Sequence, residues 1–374
     1  MNKKLRILHT GDFHLDSPFA GLDAEASAIR RRELRETFCA MMEYARTADI
    51  DMVLIAGDLF DRRFATSETL SLICTNFASL PCPVVITPGN HDPADGRGIW
   101  HSTVLPGNVF VFREDKLRRL NFPELGVDVY GYAFTSPEMT GSPVAGEFIK
   151  DKRNINILLC HADILSPVSS SAPLSRAQIE AFGADYTALG HIHNGEDYSG
   201  EAGGFTYAYC GCPEGRDFGE CGIKGAVIAE ITADGENHTV TLTRKSFCRK
   251  KYEDITVAVD GAVTMSDINS AISGVAAGIS MKEQTLLRVT LTGAVDPELV
   301  IDSSYIETIL SDFSKVVVRD RTSPSLSFSE DDPTVRGEFC RLLAPMLGSA
   351  DPAEREIAIK ALRFGLTVLS GNDI

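Results

Sequence analysis

The stretch DMVLIAGDLFD, residues 51–61, joins an apolar run to an abrupt polar end. The run is rich in Val, Ile and Leu and does not alternate with polar residues, which predicts a strand that is buried on both faces. Gly57, Asp58 and Asp61 follow it directly. The stretch therefore predicts an internal strand of a layered sheet, with acidic side chains at its carboxyl end.

Four further segments share this design. They are LRILHTGDFH (5–14), PVVITPGNHD (83–92), INILLCHAD (155–163) and YTALGHIH (186–193). Apolar residues at helical spacing predict a helix between each pair of the first three strands. The first helix carries Leu34, Phe38, Met41 and Ala45; the second carries Leu70, Ile73 and Phe77 and follows a predicted cap at Ser67. This order predicts an α/β layered fold, with central β-sheets flanked by helices and ligands bound at the carboxyl ends of the strands.

The histidines are concentrated at those strand ends. Of the eight in the chain, five come just past a predicted strand: His14, His91, His161, His191 and His193. Beside them lie Asp12, Asp58, Asp61, Asn90 and Asp92. Imidazole and carboxylate ligands together suit Mn, Fe or Zn better than calcium or magnesium, and a set of this size indicates two ions about 3.5 to 4 Å apart that share a carboxylate. For His191 and His193 alone, a solvated surface turn is the alternative.

Composition limits the function classes. The chain has 374 residues, 44% of them hydrophobic, and a net charge of -16. This charge argues against general electrostatic binding of nucleic acid, so any such contact must be local. We expect no signal peptide and no membrane span. Nine cysteines without a CxxC pair indicate a reduced cytoplasmic protein, in which Cys210 and Cys212 have a structural or incidental role.

The motifs resemble those of calcineurin-like metallophosphoesterases. The matching residues are Asp12 and His14, Gly57-Asp58 with Asp61, Gly89-Asn90-His91-Asp92, His161, and Gly190-His191 with His193. Together with YCGCPEGRDFGECGIKG (209–225) and DFHLDSPFAGL (12–22), they are similar to bacterial SbcD-type DNA repair exonucleases. The resemblance extends over residues 5 to about 245.

The resemblance implies roles for eight residues. One metal ion would be held by Asp12, His14, Asp58 and His193, and the other by Asp58, Asn90, His161 and His191. His91 would be catalytic, facing the scissile phosphate without binding metal. Two divalent ions are expected, Mn²⁺ first, with Fe, Zn or Mg as alternatives.

Several charged residues stay open between two interpretations. Asp61 and Asp92 could orient a histidine or could form a helix cap or salt bridge. Phosphate contact or plain solvation are the alternatives for Arg62, Arg63, Arg97 and Arg216. A basic cluster follows a predicted hairpin turn at Asp234-Gly235; its residues are Arg244, Lys245, Arg249, Lys250 and Lys251. We interpret these residues as protecting an edge strand or balancing nearby carboxylates, in preference to contacting nucleic acid.

Three domains are expected. Residues 1–250 would form the nuclease domain, 251–325 a smaller α+β capping domain of β-α-β-α-β order, and 326–374 C-terminal helices. The last helix has an apolar stripe for which core packing is the default interpretation and a partner-binding surface the alternative: Ile357, Ala361, Phe364 and Val368.

The leading functional hypothesis is a two-metal phosphodiesterase that hydrolyses DNA as the nuclease component of an SbcCD-like repair complex. Its expected partners are DNA and an SbcC-like ATPase with a coiled coil, with a homodimer as a further option. The alternatives are a metallophosphoesterase for a small-molecule or nucleotide phosphoester, and a scaffold without enzymatic activity.

Overall fold

The computed structural model describes residues 3–19, 22–235, 237–296, 299–325 and 332–369. The chain divides into two compact units, residues 1–251 and 252–374. The expected boundary between residues 325 and 326 falls at the edge of a segment outside the described residues.

The first unit contains two six-stranded sheets. Its strands are β1 (Lys3–Thr10), β2 (Met52–Ile55), β3 (Val84–Ile86), β4 (Val109–Val111), β5 (Arg118–Phe122), β6 (Val127–Gly131), β7 (Ile155–His161), β8 (Tyr186–Gly190), β9 (Gly200–Ala202), β10 (Phe205–Tyr209), β11 (Gly225–Asp234) and β12 (Asn237–Ser246). The helices are α1 (Ala24–Thr47), α2 (Ser67–Ala78), α3 (Ile99–Ser102) and α4 (Arg176–Phe182), with a 3₁₀ turn at Gly195–Tyr198.

Parallel pairing brings the carboxyl ends of the central strands to common edges. The first sheet has the order β12-β11-β1-β2-β3-β4, and β1 to β4 run parallel. The second has the order β5-β6-β7-β8-β10-β9, and β6, β7, β8 and β10 run parallel. In each sheet, the segments that follow the central strands therefore lie together at one edge.

The sheets share one hydrophobic core with α1. Buried residues of this cluster include Phe38 of α1, Val53 and Val85 of the first sheet, and Val129 and Ile157 of the second. The mixed α/β layered fold and all five predicted buried strands are confirmed. The predicted cap at Ser67 is wrong by one residue, because the extended backbone of Thr66 lets its hydroxyl accept from the N–H of Thr69.

The second unit has the predicted β-α-β-α-β order. Its strands are β13 (Lys251–Ala258), which begins at the end of the first unit, β14 (Thr285–Val295) and β15 (Lys315–Pro324). Its helices are α5 (Met265–Ala276), α6 (Ser303–Ile309), α7 (Val335–Leu347) and α8 (Pro352–Leu369), and a 3₁₀ turn covers Lys282–Gln284. The sheet order is β13-β14-β15.

The core interpretation of the α8 stripe is wrong. Ile357 is 61% exposed and Phe364 is 57% exposed. The buried face is a different one, where Leu362 and Leu366 pack with Cys340 of α7. Since α8 carries apolar residues at helical spacing on both faces, periodicity alone does not tell which face packs.

None of the helices among the described residues is long and apolar enough to cross a membrane. None of the nine cysteines, all of which lie among the described residues, forms a disulfide.

Candidate metal centre

The candidate site lies where the central strands of both sheets end. Asp12 follows β1 and Asp58 follows β2, and the two segments are tied together by backbone hydrogen bonds from Asp12 N to Gly57 O (2.9 Å) and from His14 N to Asp58 O (2.9 Å). β7 ends on His161, and β8 ends at Gly190, directly before His191. With the segment after β3, which carries Asn90 and His91, the site is built from five segments that the fold brings together.

The backbone turns sharply at these strand ends. Asp12, His14, Asp58 and His191 all have positive φ, at 49°, 47°, 50° and 100°. Such conformations cost free energy in residues other than glycine, and they concentrate at functional sites. Because β8 has already ended, His191 and His193 lie on a turn, and strand periodicity does not explain why both point into one site.

Two carboxylates and three imidazoles converge at the centre. Nε2 of His14 lies 3.3 Å from Nε2 of His193 and 3.5 Å from Oδ2 of Asp58. Nε2 of His193 is 3.7 Å from Oδ1 of Asp12. The same Oδ2 of Asp58 lies 3.5 Å from Nε2 of His161. Asp58 thus stands between an imidazole of each expected ligand set.

Asn90 and His191 complete the expected set beside His161. Asn90 Oδ1 is 2.9 Å from His161 Nε2, and the ring centroids of His161 and His191 are 5.1 Å apart. The backbone N–H of His191 also donates to the Asp12 carboxylate, at 3.0 Å. The structure thus places all seven residues that the sequence predicts as ligands in one cluster.

His91 stands at the open side of the cluster. Its ring centroid is 4.6 Å from that of His14, and its side chain is 44% exposed. The backbone N–H of His91 donates to Asp58, and Nδ1 lies 3.4 Å from Asp61 Oδ1. The hydrogen bond with Asp61 raises the pKa of His91 and lowers the pKa of Asp61. Of the two interpretations of Asp61, orientation of a histidine is the one that fits its position.

Asp92 fits neither of its two sequence interpretations. Its buried carboxylate accepts from the backbone N–H groups of Asp58, Leu59 and Gly89. Burial, followed by the charge of Asp58, raises the pKa of Asp92 to about 7. Asp92 therefore organises the backbone of the two loops that present Asp58 and Asn90.

Sequence reasoning missed Glu220. Its Oε1 lies 2.6 Å from Nδ1 of His193, and Arg216 donates to the same carboxylate from its backbone N–H and its guanidinium. Burial alone would lower the pKa of His193, but the hydrogen bonds with Asp12 and Glu220 outweigh it and raise the pKa to about 9. Nothing in the sequence distinguishes Glu220 from the other acidic residues of its loop. Arg216, one of the four arginines considered for phosphate contact, is thus bound to Glu220.

Burial and mutual repulsion act on the two carboxylates at the centre. Burial, and then the charge of Asp12, raises the pKa of Asp58 to about 6. Burial acts in the same direction on Asp12, but His193 outweighs it and holds the pKa of Asp12 below its ordinary value. Buried carboxylates facing imidazole nitrogens are the donor set expected for divalent transition metals, so the residues fit metal ions. Cys212, His193 and Glu220 form a further group that could hold a metal ion. In this group, however, Glu220 already forms an ion pair with Arg216.

Residues 5–195 match the calcineurin-like phosphoesterase family. The chain belongs to this family. Membership supports a phosphoester hydrolase, and the fold implies divalent metal ions at the cluster described above.

Three curated relatives are similar at modest identity. An uncharacterized metallophosphoesterase YhaO of Bacillus subtilis is 26% identical over 265 residues, covering 68% of this chain and 64% of the relative. The DNA double-strand break repair protein Mre11 of Saccharolobus solfataricus is 26% identical over 200 residues, covering 50% of this chain and 49% of the relative. A component of the nuclease SbcCD of Escherichia coli is 26% identical over 280 residues, covering 63% of this chain and 67% of the relative. The chain thus spans between about half and two thirds of these relatives.

Proposed function

We propose that the chain is a phosphodiesterase that uses two divalent metal ions, preferably Mn²⁺, to hydrolyse DNA. The observation that carries the proposal is the position of Asp58, whose Oδ2 is 3.5 Å from a nitrogen of His14 and 3.5 Å from a nitrogen of His161. One carboxylate oxygen between two imidazoles from different strands suits a bridging ligand. Bound divalent ions would supply an activated water and positive charge for the phosphate oxygens.

The ligand assignment follows the cluster. Asp12, His14, Asp58 and His193 would hold one ion, and Asp58, Asn90, His161 and His191 the other. Nδ1 of His161 lies 2.9 Å from the carbonyl oxygen of Ala56 and donates to it, so that the lone pair of Nε2 faces the site. Glu220 fixes the ring of His193 in the same way through Nδ1.

His91 is the proposed catalytic acid. It is exposed at the mouth of the cluster, and the hydrogen bond with Asp61 raises its pKa, which favours the protonated ring. In this role the ring would donate a proton or hydrogen bond to the phosphate or to the leaving oxygen. A positioned acid contributes about 10² to 10⁴ in rate.

The names of the relatives support DNA as the substrate, since one is a DNA double-strand break repair protein and another is part of a nuclease. The exposed stripe of α8, which includes Ile357, Phe364 and Val368, supports a protein partner for the second unit. The partner that the resemblance implies is an SbcC-like ATPase with a coiled coil. The alternative, a small phosphoester as substrate, is favoured by the net charge of -16.

The test replaces His91 with alanine in the Mn²⁺-loaded protein. Hydrolysis of linear DNA should fall by about 10² to 10⁴, with metal content unchanged. His101→Ala, an exposed histidine on α3, is the matched control and should retain full activity. Loss of metal in His91→Ala would make His91 a ligand. Wild-type activity on bis(p-nitrophenyl) phosphate but not on DNA would favour the alternative, and full metal occupancy without any hydrolysis would favour a scaffold.

A further inference from the structure

A cavity of about 470 Å³ opens beside His193 in the first unit. Its wall is formed by four segments: 193–195 after β8, 210–212 after β10, 223–226 at the start of β11, and 244–246 at the end of β12. None of the described residues that line it is acidic.

Lys224 is a buried cation in this wall. The residue is 9% exposed, and its Nζ donates to Oδ1 of Asn194 at 2.5 Å. It forms no ion pair with any residue in the part of the chain that the structure describes. A buried ammonium without a carboxylate is costly, because a neutral amide replaces little of the lost hydration. The position of Lys224 therefore favours an anionic ligand.

Arg244 adds a second cation to the wall. Its guanidinium donates to the carbonyl oxygens of Tyr209 (3.0 Å) and Cys210 (3.4 Å) and to the hydroxyl of Ser199 (3.2 Å). These contacts hold the guanidinium against the segment that follows β10. A guanidinium held in this way is preorganised for a phosphate group.

Two neighbouring cations of the basic cluster have partners of their own. The ammonium of Lys245 lies over the rings of Tyr44 (4.6 Å) and Phe247 (5.4 Å). Arg249 forms an ion pair with Glu36 at 3.2 Å. Arg244 and Lys245 both line the cavity, whereas Arg249 does not.

We propose that this cavity is a phosphate subsite, which binds a second phosphate of the DNA strand whose scissile phosphate lies at the metal centre. The inference rests on the proposed function and extends it. His193 belongs to the metal centre, and the next residue, Asn194, holds Lys224 at the cavity, so one short segment serves both places. A phosphoester with a single phosphate cannot occupy both, and the subsite therefore selects polynucleotides.

The test compares two substrates and three variants of the full chain with Mn²⁺. The substrates are a short single-stranded DNA oligonucleotide and bis(p-nitrophenyl) phosphate, which has one phosphate. In Lys224→Gln, which keeps a hydrogen-bond donor for Asn194, KM for the oligonucleotide should rise about tenfold to a hundredfold more than KM for the small diester. Lys224→Arg should restore most of the loss, and Arg249→Gln, a basic residue outside the cavity, should match the wild type.

A second measurement reads binding without turnover. Fluorescence anisotropy of a labelled oligonucleotide, with all variants also carrying His91→Ala, should give a weaker Kd and a shallower salt dependence in Lys224→Gln, by about one phosphate contact. Wild-type cleavage of DNA with no change in Lys224→Gln would overturn the subsite alone. Equal losses on both substrates would overturn it in favour of a structural role for Lys224. If Lys224→Gln weakened the binding of inorganic phosphate as much as the binding of the oligonucleotide, the cavity would be a site for free phosphate and not for a DNA strand. Failure of the wild type to bind or cleave DNA would overturn the proposed function as well.

Discussion

His193 lies between two carboxylates, and its protonation is linked to metal binding. Its pKa, raised from 6.5 to about 9, means that the metal-free protein carries a proton on His193 at pH 8. The stabilisation from this charge is fully present below pH 6.5 and is lost as pH rises through 9. A metal ligand must be neutral imidazole, so binding has to release the proton.

We therefore predict that Mn²⁺ binding at pH 8 releases about one proton per chain from His193, and that affinity rises with pH up to about 9. Isothermal titration calorimetry in buffers of different ionisation enthalpy measures the release. Glu220→Gln should reduce it, because one cause of the raised pKa is gone. Asp217→Asn, exposed in the same loop, is the control. A proton count that is zero at pH 8 would contradict the role of His193.

At this scale the sequence predicted which residues meet, but not how they are supported. The seven residues lie at or just past the carboxyl ends of parallel strands, and the rule for such strands gathers those of each sheet at one edge. Glu220 and Asp92 act through contacts between loops that are far apart along the chain. The sequence marks Asp92 as part of a motif but not its role, and it gives no local signal for Glu220, since many exposed carboxylates look the same in sequence.

At the scale of elements, α8 offers a direct comparison of its two apolar faces. Leu362→Ala should lower the free energy of unfolding of the second unit by about 2 to 5 kcal/mol, because Leu362 is fully buried against α7. Phe364→Ala, on the exposed face, should change it by less than about 0.5 kcal/mol. Urea denaturation followed by circular dichroism gives both values. Equal losses would mean that Phe364 also packs in the core.

Element prediction succeeded where burial is continuous and failed at the edges. β2, β3, β7 and β8 are buried along their whole length, and their unbroken apolar runs predict them. β5 reads RRLNF and is largely exposed, so its sequence has no strand signal and its pairing with β6 decides its structure. β9 reads GEA and likewise has no strand signal of its own.

At the scale of the molecule, net charge is a poor guide to the site. The chain carries -16 overall, yet Lys224 and Arg244 line a cavity without acidic residues among its described lining, beside the metal centre. Local contacts can thus serve an anionic substrate while the remaining surface stays acidic. A strongly acidic composition argues against a protein that coats nucleic acid, but it is compatible with one that holds a strand at a single cleft.

The central claim is that Asp58 bridges two ions. Anomalous diffraction from crystals saturated with Mn²⁺ tests it directly. The account predicts two peaks about 3.5 to 4 Å apart, with Asp58 touching both, His14 and His193 on one side and His161 on the other. A single peak, or none at saturating Mn²⁺, would contradict it.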